Sequence, residues 1–246
     1  MNLLNVDANA KTIKGQKKGY LTGVLYLAPY DVSGTNVCPM SDMAKCRDTC
    51  LFVQGRAGIS AGSKTFIAPN GKAYKDNAII RARIARTNMF HADQEGFLIQ
   101  LEKEINSLVR KAEKKGFTPT VRLNGTSDIR WENITFADGD TMFDRFPHIQ
   151  FYDYTKIPNR KHIPSNYHLS WSYSEADARY IASMPSNMNA VVVFNGTMPK
   201  LFLDKRVVDG DENDLRFLDQ SGIVVGLKAK GSAKKDNSGF VIHIKD

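Results

Sequence analysis

The chain has 246 residues, of which 42% are hydrophobic and 24% charged, with a formal net charge of +8. This composition is typical of a globular protein with a sizeable core, and it predicts a single α/β domain over residues 20–246, preceded by a basic segment, residues 1–19. No apolar run is long enough for a membrane span and no signal peptide is evident, so we expect a cytoplasmic protein with no membrane partner.

The first third of the chain predicts a buried strand, a cysteine-bearing loop and two helices. Residues 20–28 are rich in aromatic and branched side chains, and Pro29 ends this run just before the loop. A helix is predicted over about 77–90, where an arginine run is typical of a solvated face and phosphate binding is the alternative. The second helix is predicted to begin at the N-cap Asp93 and to end at Gly116.

The rest of the chain alternates short apolar runs with polar clusters and helical segments. The runs cover residues 120–124, 148–152, 167–171, 190–194 and 222–226. Helices fit at 141–145 and at 174–182, where Ser174 and Asp177 resemble a capping box. Alternating strands and helices predict a mostly parallel sheet. With about six strands, this pattern suits a partial or irregular β/α barrel with the cysteine loop after the first strand, and equally an open doubly wound sheet.

The chain's three cysteines all lie in the loop that follows the first predicted strand. Cys38, Cys46 and Cys50 are separated by seven and three residues. An odd trio makes a poor disulfide framework, so the alternatives are free thiols or a metal site. Three thiolates can hold a [4Fe–4S] cluster with one open iron, or zinc with a fourth ligand such as His91. Zinc fingers normally add a second cysteine pair, which is absent here, so the pattern favours the cluster.

A first strand, a three-cysteine loop and subsequent β/α units resemble the radical S-adenosylmethionine superfamily. The resemblance implies a partial β/α barrel in which the open iron of the cluster binds S-adenosylmethionine. The gaps of seven and three residues depart from the usual three and two of that superfamily, and Thr49 precedes the last cysteine where an aromatic residue is common. The strand Gly222-Ile-Val-Val-Gly226 is similar to the one that cradles adenine, which implies cofactor contacts at Gly222 and Gly226.

Most of the chain also resembles a family of bacteriophage proteins. The matching stretches are residues 121–128, 150–156 and 166–170. This resemblance implies a phage origin, and hence the host cytoplasm, and it carries no activity over to this chain.

Polar side chains at predicted strand ends are further candidates for the site. Asp153 and Lys156 are predicted catalytic or substrate-contacting residues, because an acid and an ammonium at a strand end can bind a polar ligand. The predicted cofactor-binding side chains are Asn124, Ser127, Asp128 and Ser170. The structural alternatives are an Asn-Gly turn with caps at residues 124–128 and core packing of the aromatic side chains near Asp153.

Three functional hypotheses follow from these residues. The leading one is an iron–sulfur enzyme resembling radical S-adenosylmethionine proteins, acting on a nucleic acid, a nucleotide or another substrate. The second is a non-catalytic protein, stabilised by zinc or a cluster, whose basic ends bind nucleic acid. The third is a nuclease or nucleotide-modifying enzyme that uses carboxylates with a divalent ion and has only a structural cluster. The acidic turn at residues 209–219 is predicted to be a surface loop, with a divalent-ion site as the alternative.

Overall fold

The computed structural model describes residues 1–6, 10–50, 52, 57 and 64–244. Its strands are β1 (Leu4–Val6), β2 (Tyr20–Leu25), β3 (Thr65–Ile67), β4 (Ala73–Lys75), β5 (Thr118–Arg122), β6 (Gln150–Thr155), β7 (Tyr167–Ser172), β8 (Ala190–Asn195), β9 (Leu201–Phe202), β10 (Lys205–Asp209), β11 (Val224–Lys228) and β12 (Val241–His243). Its α-helices are α1 (Ala10–Gln16), α2 (Tyr30–Ser33), α3 (Ala78–Ala92), α4 (Gln94–Lys114), α5 (Met142–Arg145) and α6 (Ala178–Ala182). The fold is therefore mixed α/β.

The described residues form one sheet of ten strands and a separate hairpin of β3 and β4. The main path runs β1-β2-β5-β6-β7-β8-β11-β10-β9, and β12 pairs with β8. Neighbouring strands from β2 to β10 along this path are parallel, whereas β1 and β9 are antiparallel to their neighbours. The predicted mostly parallel sheet is confirmed. From β2 to β11 spatial order follows chain order, without the reversal that defines a doubly wound sheet.

The sheet opens between β7 and β8, and β12 fills the gap. Strand β7 pairs with β8 at Trp171↔Ala190 and Ser172↔Val191. Further along β8, the partner becomes β12, with Val241 opposite Val193. All of these pairings are parallel, so β12 lies at the carboxyl end of the sheet.

Helix α4 packs its apolar stripe on one face of the sheet. Asp93 caps it by accepting a hydrogen bond from the backbone N–H of Gly96 at 2.9 Å, as predicted. Gly116 follows the helix with φ +70°, a conformation that glycine adopts without strain. The buried side chains of the stripe are Phe97, Leu98, Leu101, Ile105, Leu108 and Ala112. The spacing of these residues explains why the sequence locates this helix well.

Helix α6 starts later than predicted. Asp177 caps it by accepting from the N–H of Arg179, so the helix begins at Ala178. The hydroxyl of Ser174 instead donates to the backbone carbonyl of Ala44 at 2.9 Å. The predicted capping box at Ser174 and Asp177 is therefore wrong, because a contact with the cysteine loop occupies Ser174. The capping box that the structure shows is formed by Thr141 and Asp144 at α5.

The N-terminal segment contributes an edge strand to the sheet. β1 pairs with β2, and the carboxylate of Glu104 on α4 accepts hydrogen bonds from the N–H groups of Leu3 and Leu4 at 2.8 Å each. The start of the chain, which was predicted to precede the domain, thus contacts the domain at α4.

Within the described part of the chain, no helix is both long enough and apolar enough to cross a membrane.

Candidate functional site

The cysteine loop lies at the carboxyl edge of the sheet, tied to the strands that neighbour it. It follows β2 and α2, and the backbone N–H of Asp128, just beyond β5, donates to the carbonyl of Val37 at 2.7 Å. The thiol of Cys38 lies 3.9 Å from the carbonyl of Thr126 in the same β5 turn. Together with the bond between Ser174 and Ala44, these contacts hold the loop across the ends of β5 and β7.

The other two cysteines are fixed from within the loop and by the residues just after it. The N–H of Cys46 donates to the carbonyl of Ser41 at 3.2 Å. The thiol of Cys50 accepts from the N–H of Phe52 at 3.5 Å, and Arg83 on α3 donates to the Phe52 carbonyl at 2.6 Å. All three cysteines are free thiols and only partly buried.

The three thiols lie close enough to affect one another's ionisation. Burial raises the pKa of Cys38 well above its ordinary value, with further increases from Cys50 and Cys46. Burial also raises the pKa of Cys50, and negative charge on Cys46 adds to it. Cys38 and Cys50 therefore lie within range of the charge of another thiol in the same loop.

A cation faces the thiols. Burial acts to lower the pKa of Lys156, but negative charge on Cys46, Asp128, Cys38 and Cys50 outweighs burial and raises it. The Lys156 ammonium in turn acts to lower the pKa of Cys38 and of Cys50. Its Nζ also lies 5.8 Å from the centroid of the Phe240 ring. Lys156 is therefore placed to stabilise thiolate at this edge.

Asp128 fixes the start of the segment that carries Lys156. Its Oδ1 accepts from the hydroxyl of Thr155 at 2.9 Å, and its Oδ2 accepts from the backbone N–H of Lys156 at 2.6 Å. Burial raises the pKa of Asp128, although the neighbouring Lys156 and Arg160 charges act to lower it. The carboxylate thus holds the ends of β5 and β6 together beside the thiols.

Asn124 and Ser127 are bound within the β5 turn. The side-chain oxygen of Asn124 accepts from the Ser127 hydroxyl at 2.8 Å, from the N–H of Ile129 and from the indole of Trp131. Its amide nitrogen donates to the carbonyl of Ile129 at 3.0 Å. These contacts match the turn interpretation of this motif, and the amide is occupied by the protein itself.

Asp153 is buried on β6, beneath the same edge. Its carboxylate accepts from the N–H groups of Leu123 and Asn124 and from the hydroxyl of Tyr167, all within 3.1 Å. Arg122 Nε lies 3.6 Å away. Burial raises the pKa of Asp153 to about 7, against the lowering effect of these partners.

Three residues that were predicted to contact the cofactor are not part of the β5 turn beside the cysteine loop. Gly222 precedes β11, so it lies at the amino end of the sheet, where its N–H donates to Asn189. Gly226 lies within β11, and a Cβ there would meet Met198 Sδ at 2.6 Å. The hydroxyl of Ser170, within β7, lies 3.5 Å from Nε2 of His168. The structure brings none of the three to the turn that contains Asp128.

The described residues contain no group of three or more histidine, cysteine, aspartate or glutamate side chains arranged to hold a metal ion. His91, the predicted fourth ligand of a zinc site, is exposed on α3. The three cysteines share one loop, but they do not form a finished single-ion site.

Two buried arginines were missed by the sequence interpretation of α3 as a solvated face. Arg83 is 8% exposed and lies over the rings of Tyr26 and Phe52, with its guanidinium carbon 4.8 Å and 5.3 Å from their centroids. Arg86 is 6% exposed and donates to the carbonyl of Asn2. Arg83 also acts to lower the pKa of Cys50. The aromatic residues before and after the cysteine loop were the only sequence signal for these contacts.

The acidic turn binds the chain's own cations. Asp211 Oδ1 lies 3.1 Å from Lys11 Nζ and 2.8 Å from Lys230 Nζ, which joins the two basic ends. Asp214 bonds to Arg122 at 2.5 Å and accepts from the hydroxyl of Tyr154. These carboxylates therefore have partners within the protein.

A family model described as gene product 88 matches residues 2–244. The chain belongs to the gene product 88 family. This membership agrees with the predicted resemblance to a family of phage proteins, and it covers the cysteine loop and every strand of the sheet. No curated protein and no solved structure matches the chain.

Proposed function

We propose that the chain is an iron–sulfur enzyme in which Cys38, Cys46 and Cys50 ligate a [4Fe–4S] cluster at the carboxyl edge of a partial β/α barrel. The observation that carries this proposal is the position of three free thiols on one loop at the carboxyl edge of the sheet, within range of the Lys156 charge. Thiolates are the usual ligands of such clusters, and the chain supplies three.

The number of cysteines supports a cluster over a single zinc ion. Zinc requires its ligands to converge on one point at about 2.3 Å for each sulfur. In a cluster, each cysteine binds a different iron, so the thiols surround a larger volume. The loop supplies three cysteines and the sequence has no fourth, which suits a cluster with one open iron better than a zinc site of four cysteines.

The sheet order supports the barrel. A singly wound sheet, in which spatial order follows chain order, is the arrangement that can curve into a β/α barrel. Strands β2, β5, β6, β7, β8 and β11 follow that order and all run in the same direction. In such folds, the carboxyl ends of the strands form the ligand face, and the cysteine loop lies there.

The cations around the thiols have a defined role in this proposal. Lys156 and Arg83 offset the negative charge that three ligated thiolates bring into a partly buried site. Asp128 holds the backbone of Lys156 in position through the bond of 2.6 Å. These cations partly offset the effect of burial, which raises the pKa of Cys38 and of Cys50, and iron binding would complete the deprotonation of the thiols.

One iron would remain without a protein ligand, which is the position that S-adenosylmethionine takes in the superfamily that this chain resembles; bound there, the cofactor supplies one-electron radical chemistry. If such a cofactor binds there, Lys156 would hold an anionic group of it, such as a carboxylate.

Metal analysis under anaerobic conditions tests the proposal. After reconstitution with iron and sulfide, we expect about four irons per chain and an EPR signal that changes when S-adenosylmethionine is added. Each Cys→Ser variant should lose iron and stay folded, whereas Ser41→Ala, in the same loop, should keep it. A protein that takes up zinc but no iron would overturn the proposal, and Cys→Ser variants that unfold would favour a structural metal.

A further inference from the structure

Two lysine-rich turns meet at the amino edge of the sheet, opposite the cysteine loop. Lys17 and Lys18 lie in the turn between α1 and β2, and Lys114 and Lys115 lie at the end of α4, before β5. Strands β2 and β5 are adjacent and parallel, and the N–H of Thr118 donates to the carbonyl of Gly19 at 2.8 Å. The two pairs of lysines therefore lie side by side.

The surface extends along α4. Arg110 precedes Lys114 by four residues, so both side chains lie on the same side of the helix, one turn apart. These five residues, Lys17, Lys18, Arg110, Lys114 and Lys115, are all exposed, and we call them the amino-edge basic surface. Glu113 is the single acidic residue between positions 108 and 118.

The amino-edge basic surface differs from the other basic regions in its lack of counter-charges. Lys11 and Lys230 share Asp211, and Arg145 lies within ion-pair distance of Glu102, Asp138 and Asp140. None of the five residues of the surface forms an ion pair with a carboxylate in the part of the chain that the structure describes. Part of the net charge of +8 is therefore concentrated here.

We infer that the amino-edge basic surface docks the phosphate backbone of a nucleic acid. Closely spaced cations that form no ion pairs with carboxylates in the described part of the chain match a polymer that carries a phosphate at every residue. A membrane-binding helix would need an exposed apolar face beside its lysines. The apolar face of α4 is instead buried against the sheet, which favours nucleic acid over lipid.

This surface is independent of the proposed cluster. The cysteine loop lies at the carboxyl ends of the strands and the lysines at the amino ends, so neutralising the lysines should leave iron uptake unchanged. Loss of nucleic-acid binding with normal iron content is thus distinguishable from failure of the proposed enzyme.

Binding of fluorescein-labelled DNA and RNA, measured by anisotropy across a salt series, tests the inference. The variant K17Q/K18Q/K114Q/K115Q should bind about tenfold or more weakly at low salt. The slope of log K against log salt should fall in magnitude by up to about 3.6, since each of the four lost phosphate contacts contributes about 0.9 for duplex DNA. The matched control K200Q/K205Q/K234Q/K235Q removes the same charge elsewhere and should keep the slope.

A charge-conserving variant, K17R/K18R/K114R/K115R, should retain binding and so exclude a folding defect as the cause. Equal loss in the control variant would overturn the inference, because the effect would then be one of net charge. So would a wild-type protein that binds neither DNA nor RNA, or one that binds phosphatidylserine vesicles instead.

Discussion

The backbone N–H of Lys156 donates to Oδ2 of Asp128 at 2.6 Å, while the carboxylate of Asp128 helps to raise the pKa of the Lys156 ammonium. A single aspartate thus sets both the position of the backbone and the charge of the side chain that faces the three thiols. This pairing connects the β5 turn to the end of β6, and the next two predictions concern its two members.

Replacing Asp128 with asparagine should destabilise the protein by about 2 kcal/mol. One of the two buried carboxylate oxygens becomes an NH2 group, which cannot accept a hydrogen bond from the N–H or hydroxyl group that it faces. Urea denaturation monitored by circular dichroism measures this change. Asp144→Asn is the control, since Asp144 caps α5 at an exposed position and should cost about 1 kcal/mol or less. Equal effects at the two positions would contradict the role given to Asp128.

Replacing Lys156 with methionine should make the apo-protein thiols less reactive at neutral pH. Lys156 acts to lower the pKa of Cys38 and Cys50, so its removal should move the alkylation midpoint of these thiols to higher pH. The rate of iodoacetamide labelling, followed across pH by mass spectrometry, gives that midpoint. Lys161→Met, at an exposed position, should leave it unchanged.

Asp153 should make stability depend on pH. Its pKa in the folded protein is raised to about 7, above the unfolded value of about 3.9. Its stabilising contribution is therefore complete below about pH 4 and is lost as the pH rises through about 7. In the Asp153→Asn variant, the free energy of unfolding should decline less between these two pH values than it does in the wild type. If the two curves of unfolding free energy against pH are parallel, the raised pKa of Asp153 is refuted.

Gly125→Ala should destabilise the protein strongly. A Cβ at this position would meet the carbonyl oxygen of Leu25 at 2.6 Å, and a backbone atom cannot move aside easily. We expect a loss of about 2 kcal/mol and a shift of the turn that carries Asn124. Gly15→Ala is the control: its Cβ would meet Leu215 at an ordinary 3.6 Å within α1, so it should be neutral or stabilising. Thermal unfolding compares the two variants.

The helices and the position of the cysteine loop could be predicted from short-range patterns in the sequence. Asn77 and Asp93 cap α3 and α4 because short polar side chains before apolar helical spacing act within three residues of the chain. The position of the cysteine loop also followed from sequence, since parallel strands bring their carboxyl ends to one edge.

The features that the sequence did not predict depend on contacts between residues that are far apart in the chain. Ser174 bonds to Ala44, 130 positions away, and this contact prevents it from capping α6. Arg83 is buried because Tyr26 and Phe52 pack on it. β11 runs from Val224 to Lys228, two residues later than the predicted strand, so Gly222 lies before the strand and Gly226 within it. No periodicity in the sequence encodes such pairings.

The placement of β12 has a consequence for synthesis. This strand pairs with the carboxyl half of β8, and the ring of Phe240, just before it, lies 5.8 Å from Lys156 Nζ. On the ribosome, β2 to β8 emerge well before residues 241–243, so the nascent protein carries its thiols at an edge whose last strand is still missing. The thiol edge is therefore complete only once β12 has paired with β8.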